Sequence, residues 1–385
     1  MLGTSKHLIV DDGKFFFAHE VPKNVLHLTG DIKQLNDNCL DSLLKLSGFE
    51  IVTTPPEKYV KMMQTLSPEL SSPPWAKIMP FEAHKSFAQS LVDTVNGCLP
   101  KASLGYFRDT WVHGNSLLRK LQFAKIDVSA VHSFIVANDG NLAALRSFLV
   151  EKIPEYDRFG TRTGRMTISS GPDILTLKRE QRSVLKSSFG DEGKILNIDF
   201  SAIEIRALLY EAGDTCAFED LYEDFATRIF YGKYSRKVIK AAVICAIYGA
   251  SKSELSRKLN ISPVDLVKLT ERFKTHFKVS ELKSRLRKEY FSTKHIKNFY
   301  GRNLKIDNPS DHILLNSYGQ STGADVAMIG FDKLTNKIDL DACRPLFVLH
   351  DALIVDVHND YIDELKKNKW INIDGYSQQF SLAIT

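Results

Sequence analysis

Two aspartates, Asp199 and Asp351, each stand at the end of an apolar run, Ile195-Leu196-Asn197-Ile198-Asp199 and Leu346-Phe347-Val348-Leu349-His350-Asp351. A buried strand is stiff, so it can hold a carboxylate to close tolerance at the edge of a sheet. Two such carboxylates, converging from distant stretches of chain, can bridge divalent ions about 3.5–4 Å apart. One ion would activate a hydroxyl nucleophile while the other neutralises a triphosphate and its leaving group. Magnesium suits this chemistry because it is held by one or two carboxylates plus substrate phosphates, and two Mg2+ ions are expected, with Mn2+ as a substitute. The backbone carbonyl of Phe200 is a further candidate ligand. Taken alone, Asp199 has an equally good ordinary reading, as an acid capping the helix that follows a strand. The joint pattern with His350-Asp351 favours the metal reading.

Between the aspartates, Arg236, Lys240, Ile244 and Tyr248 recur every four residues. In an α-helix each such step overshoots a turn by about 40°, so the four form one slanting stripe. Arg236 and Lys240 suit phosphates, the first by its fork and the second as a point charge. Ile244 would pack on a sugar and base, Tyr248 would stack near a base, and Gly249 lets the helix end. A Lys/Arg stripe is more often a solvated face, but Val243 and Ile247 argue that this helix is partly buried.

The elements needed to hold these groups are legible. A strand and helix cover about 195–212, residues 216–292 are mostly helical, and Phe299-Tyr300-Gly301-Arg302 marks a hairpin turn. A helix follows over 311–334, then a strand pair or one long strand from Leu346 to Val357. Helices are expected over 80–152, and a basic Gly-rich turn at Arg158 to Arg165. In residues 1–75, strands at Val25–Leu28 and Phe49–Val52 flank a helix from Asp37 to Ser47, and Ser71-Ser72-Pro73-Pro74 marks a boundary.

The chain has 385 residues and 43% hydrophobic content, enough for one large core or several lobes. Its net charge of +5 permits nucleic-acid binding without arguing for it. Five scattered cysteines without a Cys-x-x-Cys pair point away from a disulfide framework and toward a reducing compartment. No apolar run approaches the roughly 18 residues that span a bilayer. The N-terminus lacks the design of a signal peptide. A cytoplasmic protein with no membrane partner is expected.

The ordered set resembles the family A DNA polymerases. Asp199-Phe200-Ser201-Ala202-Ile203-Glu204-Ile205-Arg206 is similar to motif A, Arg236 through Gly249 to motif B, and Leu349-His350-Asp351-Ala352 to motif C. Thr163-Gly164-Arg165 matches a segment upstream of motif A. His312-x-x-x-Asn316-x-x-x-Gln320 matches the helix at the primer-template junction, in a form closer to compact phage enzymes. The resemblance covers roughly residues 76–385.

It implies an α+β right-hand fold: a thumb (76–150), a palm in two parts (151–206 and 311–385) with an antiparallel sheet, and helical fingers (207–310), after an N-terminal region of unreadable role. It implies catalytic, metal-holding Asp199 and Asp351, and nucleotide contacts from Arg236, Lys240, Ile244 and Tyr248. Glu204 would be a steric gate filling the space that a ribose 2′-hydroxyl needs. Arg165 and Gln320 would probe the minor groove, whose acceptors all correct pairs share, while Asn316, His312 and His350 would contact DNA. The partners would be primer-template DNA, deoxynucleoside triphosphates and replication accessory proteins, with the polymerase itself a monomer.

The sequence also departs from the family. Ile244 stands where Phe or Tyr is usual, Ala352 in place of a glutamate, Ala202 in place of a glutamine, and Leu175-Thr176 in place of a polar pair. Only 36 residues separate Asp199 from Arg236, a compact fingers region. The first 150 residues offer no Asp-x-Glu strand of a proofreading exonuclease, so no 3′→5′ exonuclease is expected. The competing readings are a single-subunit RNA polymerase, opposed by Glu204, and an inactive DNA-binding replication protein, opposed by the retained acids and bases.

Overall fold

The computed structural model describes residues 7–11, 14–18, 26–30, 55–66, 75–98, 110, 112–157, 161–214, 218–249, 252–376 and 379–385. The chain divides into two compact units, Met1–Arg108 and Asp109–Thr385. In the first, β1 (His7–Asp11), β2 (Lys14–Ala18) and β3 (Leu26–Gly30) form an antiparallel sheet in the order β2-β1-β3. Helices α1 (Glu57–Leu66), α2 (Trp75–Ile78) and α3 (Phe81–Cys98) follow. The expected strand near Leu26 is present. The expected helix at 37–47 and strand at 49–52 lie outside the described residues.

The second unit opens with α4 (Val112–Leu118), β4 (Lys125–Ile126), α5 (Val128–Val136) and α6 (Leu142–Ser147). Asp127 and Asn141 cap the last two by accepting backbone N–H bonds. Short strands β5 (Glu155–Asp157), β6 (Thr167–Ser170) and β7 (Leu185–Lys186) lead into β8 (Gly193–Phe200). Six helices follow: α7 (Ile203–Glu211), α8 (Leu221–Arg228), α9 (Arg236–Tyr248), α10 (Lys252–Leu259), α11 (Pro263–His276) and α12 (Val279–Thr293). A hairpin of β9 (His295–Lys297) and β10 (Asn303–Lys305) turns at the expected Phe299–Arg302 segment. Then come α13 (Asp311–Thr335), β11 (Cys343–Leu349), β12 (Ala352–His358), α14 (Ile362–Lys367), β13 (Trp370–Asn372) and β14 (Gln379–Ile384).

Five of these strands form one antiparallel sheet in the order β11-β12-β8-β14-β13. The unit is therefore an α+β fold with antiparallel sheets. The apolar Leu346–Val357 segment is a strand pair, with Leu349 opposite Ala352 across a two-residue turn, His350-Asp351. His350 carries φ +58°, as the first central residue of such a tight turn requires. Tyr156 fixes the first strand of the pair: its hydroxyl donates to the Val348 carbonyl and accepts from the Val348 N–H, both at 2.9 Å.

Helix α13 is buried along most of its 25 residues and packs against α4, α7, α9 and α12. Ser310 caps it by accepting from the Ile313 N–H. At its C-terminal end, Lys120 donates to Asp332 (2.7 Å), and the His113 ring bridges Asp332 and Asp374 at 2.7 and 3.1 Å. This ties α4 to α13 and to the loop after β13. Close approach elsewhere depends on glycine. A methyl group on Gly330 would overlap Phe200 Cζ and sit 3.0 Å from Ile373 Cδ1, whereas one on Gly319 meets only ordinary contacts, the nearest being Tyr248 Oη at 3.5 Å.

These two helical glycines therefore predict opposite outcomes. Gly319→Ala should be neutral or stabilising by up to about 1 kcal/mol, from helix propensity. Gly330→Ala should lose about 1 kcal/mol or more, because overpacking of about 1–3 kcal/mol outweighs that gain. Urea unfolding of both variants measures this, and equal effects would contradict the packing described.

Candidate active site

The register of the central sheet brings the two aspartates together. Asp199, the penultimate residue of β8, lies opposite Ala352 on β12, so Asp351 is the turn residue immediately beside it. The Phe200 N–H points at the Asp351 carbonyl at 3.4 Å. A slip of one residue would turn Asp199 to the other face of the sheet. The hairpin turn and the long pairing from Gly193 to Asp199 prevent that slip. Phe200 anchors the strand end from the other face, with its ring 5.0 Å from Phe331 and 6.4 Å from Phe380.

Asp199 is not a helix cap. Helix α7 begins at Ile203, its N-cap residue is Ala202 with φ +53°, and no side chain caps it. Instead Asp199 Oδ1 is buried and accepts no hydrogen bond. Burial, and then the charge of Asp351, push its carboxyl up to about 6, against the Phe200 backbone N–H and the charge of Lys240. A buried carboxylate without a partner is costly. This is the condition that a divalent cation relieves, so the residues present fit one. Among the described residues no cluster of three or more His, Cys, Asp and Glu forms a metal cage. Two carboxylates and the Phe200 carbonyl would leave the remaining positions to phosphate oxygens and water, the arrangement magnesium favours.

Glu204, on the first turn of α7, joins three segments. It accepts from Arg165 Nη2 at 3.1 Å and from the Tyr248 hydroxyl. Burial raises its carboxyl above the usual range, against the pull of Tyr248 and Arg165. Burial and Glu204 hold the Tyr248 phenol protonated to well above its ordinary value. Gly323 makes room for this knot, since a methyl there would lie 3.0 Å from Glu204 Cγ. Asn316 and Gln320 lie on the same helix and are bonded to each other at 2.9 Å. Arg165 and Arg182 lower the His350 imidazole, with desolvation as the larger cause.

Helix α9 presents the expected stripe. Arg236, Lys240 and Ile244 are exposed and Tyr248 is half-buried, while Ile239, Val243 and Ile247 face the core. The helix ends at Gly249, with φ +72°. Arg236 is paired with Asp220, which also caps α8. The Tyr222 ring lies beneath both Arg236 and Lys240, at 5.5 and 5.7 Å from its centroid. His312 packs against Gly249, at the end of the stripe opposite Arg236.

Several supports escape a reading of motifs. Gly164, φ +77°, sits on the guanidinium of Arg302, whose Cζ would be 2.5 Å from an added methyl. Arg302 is 2% exposed and paired with the equally buried Asp325 at 3.0 Å, and Asn298 donates to the same carboxylate. The Thr-Gly-Arg turn is thus seated on a buried ion pair, which aims Arg165. Arg206 is fully buried. It donates to the Ser201 and Glu219 carbonyls at 2.7 and 3.0 Å and to Ser381 Oγ at 3.1 Å, joining the end of β8 to β14 and the segment before α8. Its signals were its place at the end of the Asp199–Arg206 segment and an arginine inside the otherwise apolar stretch Ile205–Leu209.

The raised Asp199 carboxyl sets a pH dependence. The folded chain binds this proton up to about pH 6 and the unfolded chain only to about 3.8. Between those values the folded state holds more protons, so stability falls as pH rises through the window. Asp199→Asn should therefore stabilise the metal-free protein at neutral pH by about 1 kcal/mol, after allowance for solvent screening. The gain should vanish near pH 4. Denaturant unfolding of both proteins in chelator across that range tests the sign.

Residues 147–380 match the profile of DNA polymerase family A. DNA polymerase I of Lactococcus lactis subsp. lactis (strain IL1403) is 25% identical over 283 residues, covering 65% of this chain and 31% of the relative. The DNA polymerase of Mycobacterium phage L5 is 28% identical over 217 residues, covering 53% of this chain and 33% of the relative. Among solved structures, the POL domain of Pol1 from M. smegmatis, in complex with DNA primer-template and dNTP, is 17% identical. It has a TM-score of 0.44 and covers 90% of this chain and 63% of that one. The chain spans about a third of the length of these curated relatives. By the match over more than half its length, the chain belongs to DNA polymerase family A.

Proposed function

We propose that the protein is a template-directed DNA polymerase that extends a primer 3′-hydroxyl with deoxynucleoside triphosphates by nucleotidyl transfer. The observation that carries the reading is the buried Asp199 Oδ1, without a hydrogen bond, beside Asp351 and within the field of Lys240 on a helix with a basic stripe. Divalent ions held by Asp199, Asp351 and the Phe200 carbonyl would activate the primer hydroxyl and stabilise the leaving pyrophosphate. Arg236 and Lys240 bind the triphosphate, and Asp220 releases Arg236 to do so. Ile244 packs on the incoming sugar and base. Tyr248 lies at the templating base, and its bond to Glu204 fixes the gate against a 2′-hydroxyl. Arg165 and Gln320 read the minor groove at the primer terminus, with Asn316, His312 and His350 holding the junction.

On this reading residues 151–206 and 311–385, with the β11–β14 sheet and β8, are the palm, residues 207–310 are the fingers, and residues 76–150 are the thumb. The protein works without proofreading, as a monomer in the cytoplasm (the host's, if phage-encoded), in phage or plasmid replication or in repair synthesis.

Primer extension with magnesium tests the reading. Asp351→Ala should lower extension by about 1,000-fold or more while retaining duplex binding, because it removes an interaction needed only in the transition state. Extension that survives this change would refute the mechanism. Glu204→Ala should raise the use of ribonucleotides relative to deoxynucleotides by at least tenfold. A wild-type chain that already prefers ribonucleotides would favour an RNA polymerase instead.

A further inference from the structure

Each carboxylate oxygen of Glu204 has its own donor. Oε2 accepts from the Tyr248 hydroxyl and Oε1 from Arg165 Nη2 at 3.1 Å. The two donors are supported differently. Tyr248 is the last residue of α9, and the helix ends at Gly249 directly after it. Arg165 closes a turn that is fastened twice within itself. The Gly164 N–H donates to the Thr161 carbonyl at 3.2 Å, and the Thr161 hydroxyl donates to the Arg165 carbonyl at 2.6 Å. The same turn rests, through Gly164, on the buried Arg302–Asp325 pair. Such a base is stiff, because breaking a buried ion pair strands a charge out of water. On the far side of Glu204, α13 closes the space, since a methyl on Gly323 would already sit 3.0 Å from Glu204 Cγ.

Exclusion of a 2′-hydroxyl separates two sugars that differ by one oxygen atom. A side chain that does this must be held to within about 0.5 Å by locked neighbours. With Arg165 removed, the Glu204 carboxylate would keep the Tyr248 bond alone and turn about it. The Arg165 charge also helps to keep Glu204 ionised against its burial. We propose that Arg165 is a positioning residue for sugar selection, anchoring Glu204 from the turn at 161–165 and setting how strongly ribonucleotides are refused. This rests on the polymerase reading above, and gives a second task to the side chain assigned there to the minor groove. The tasks are compatible, because a guanidinium has several N–H donors and one of them on Glu204 leaves others for DNA. The pair at the primer terminus and the incoming sugar would then be read through one side chain.

The test is the ratio of kcat/KM for a deoxynucleotide to that for the matching ribonucleotide, in primer extension with magnesium on one primer-template. A weakened minor-groove contact slows both nucleotides alike and cancels from this ratio. Arg165→Met keeps much of the apolar stem and removes every donor, and should lower the ratio by about threefold or more. Arg165→Lys should recover most of the loss, since the bond to Glu204 uses a single N–H. In a Glu204→Ala background, Arg165→Met should change the ratio no further, because the anchor acts only through that carboxylate. No fall in Arg165→Met, no recovery in Arg165→Lys, or a fall of equal size without Glu204 overturns the proposal and leaves the polymerase reading standing. An unaltered chain that extends with neither nucleotide overturns that reading and the proposal with it.

Discussion

A carboxylate with one oxygen out of water and without a hydrogen bond is the interaction around which the site is arranged. The strand β8 carries Asp199 to the sheet's end, and the tight turn at His350-Asp351 sets a second acid beside it. Among the described residues none donates a hydrogen bond to the inner oxygen of Asp199. Its carboxyl stays partly protonated up to about pH 6 in consequence. Folding is opposed by this arrangement, and the sheet register that imposes it is secured elsewhere, by Phe200 under α13 and by the Tyr156 hydroxyl on β11. Strain of this kind is tolerated at functional sites because the surrounding structure over-determines them.

The second constraint is the meeting at Glu204. Arg165 arrives from a turn seated on Arg302, Tyr248 from the last turn of α9, and Glu204 itself from the first turn of α7. Three segments distant in sequence thereby share one buried carboxylate. Helix α13 passes behind all of them, and its glycines at 323 and 330 set how closely Glu204 and Phe200 can lie. A motion of α9 would have to break or carry the Tyr248–Glu204 bond, so movement of this helix and of the Glu204 side chain are coupled.

Much of this was legible from residues alone. Asp199, Glu204, the four-residue stripe on α9 and His350-Asp351 at the end of an apolar run are read from local spacing, and local spacing survives folding, although the tight turn at His350-Asp351 was not. The helix at 311–334 and the hairpin at 299–302 were equally plain from periodicity and turn residues. What was hidden is long-range and carried by ordinary residue types. Arg302 lies more than a hundred residues from the Gly164 it supports, and Gly330 more than a hundred from the Phe200 ring it admits. Asp220 looks like any helix cap until Arg236 is found on it.

The central claim is that the two acids form a cation site whose cost the metal-free chain bears. Its most direct measurement is the denaturant midpoint of the unaltered protein at neutral pH as magnesium is added, beside that of an Asp199→Asn, Asp351→Asn double variant. The midpoint of the unaltered chain should rise with magnesium, as any ligand specific to the folded state requires, and that of the double variant should stay flat. Midpoints that do not move, or that move equally in both proteins, would contradict the account.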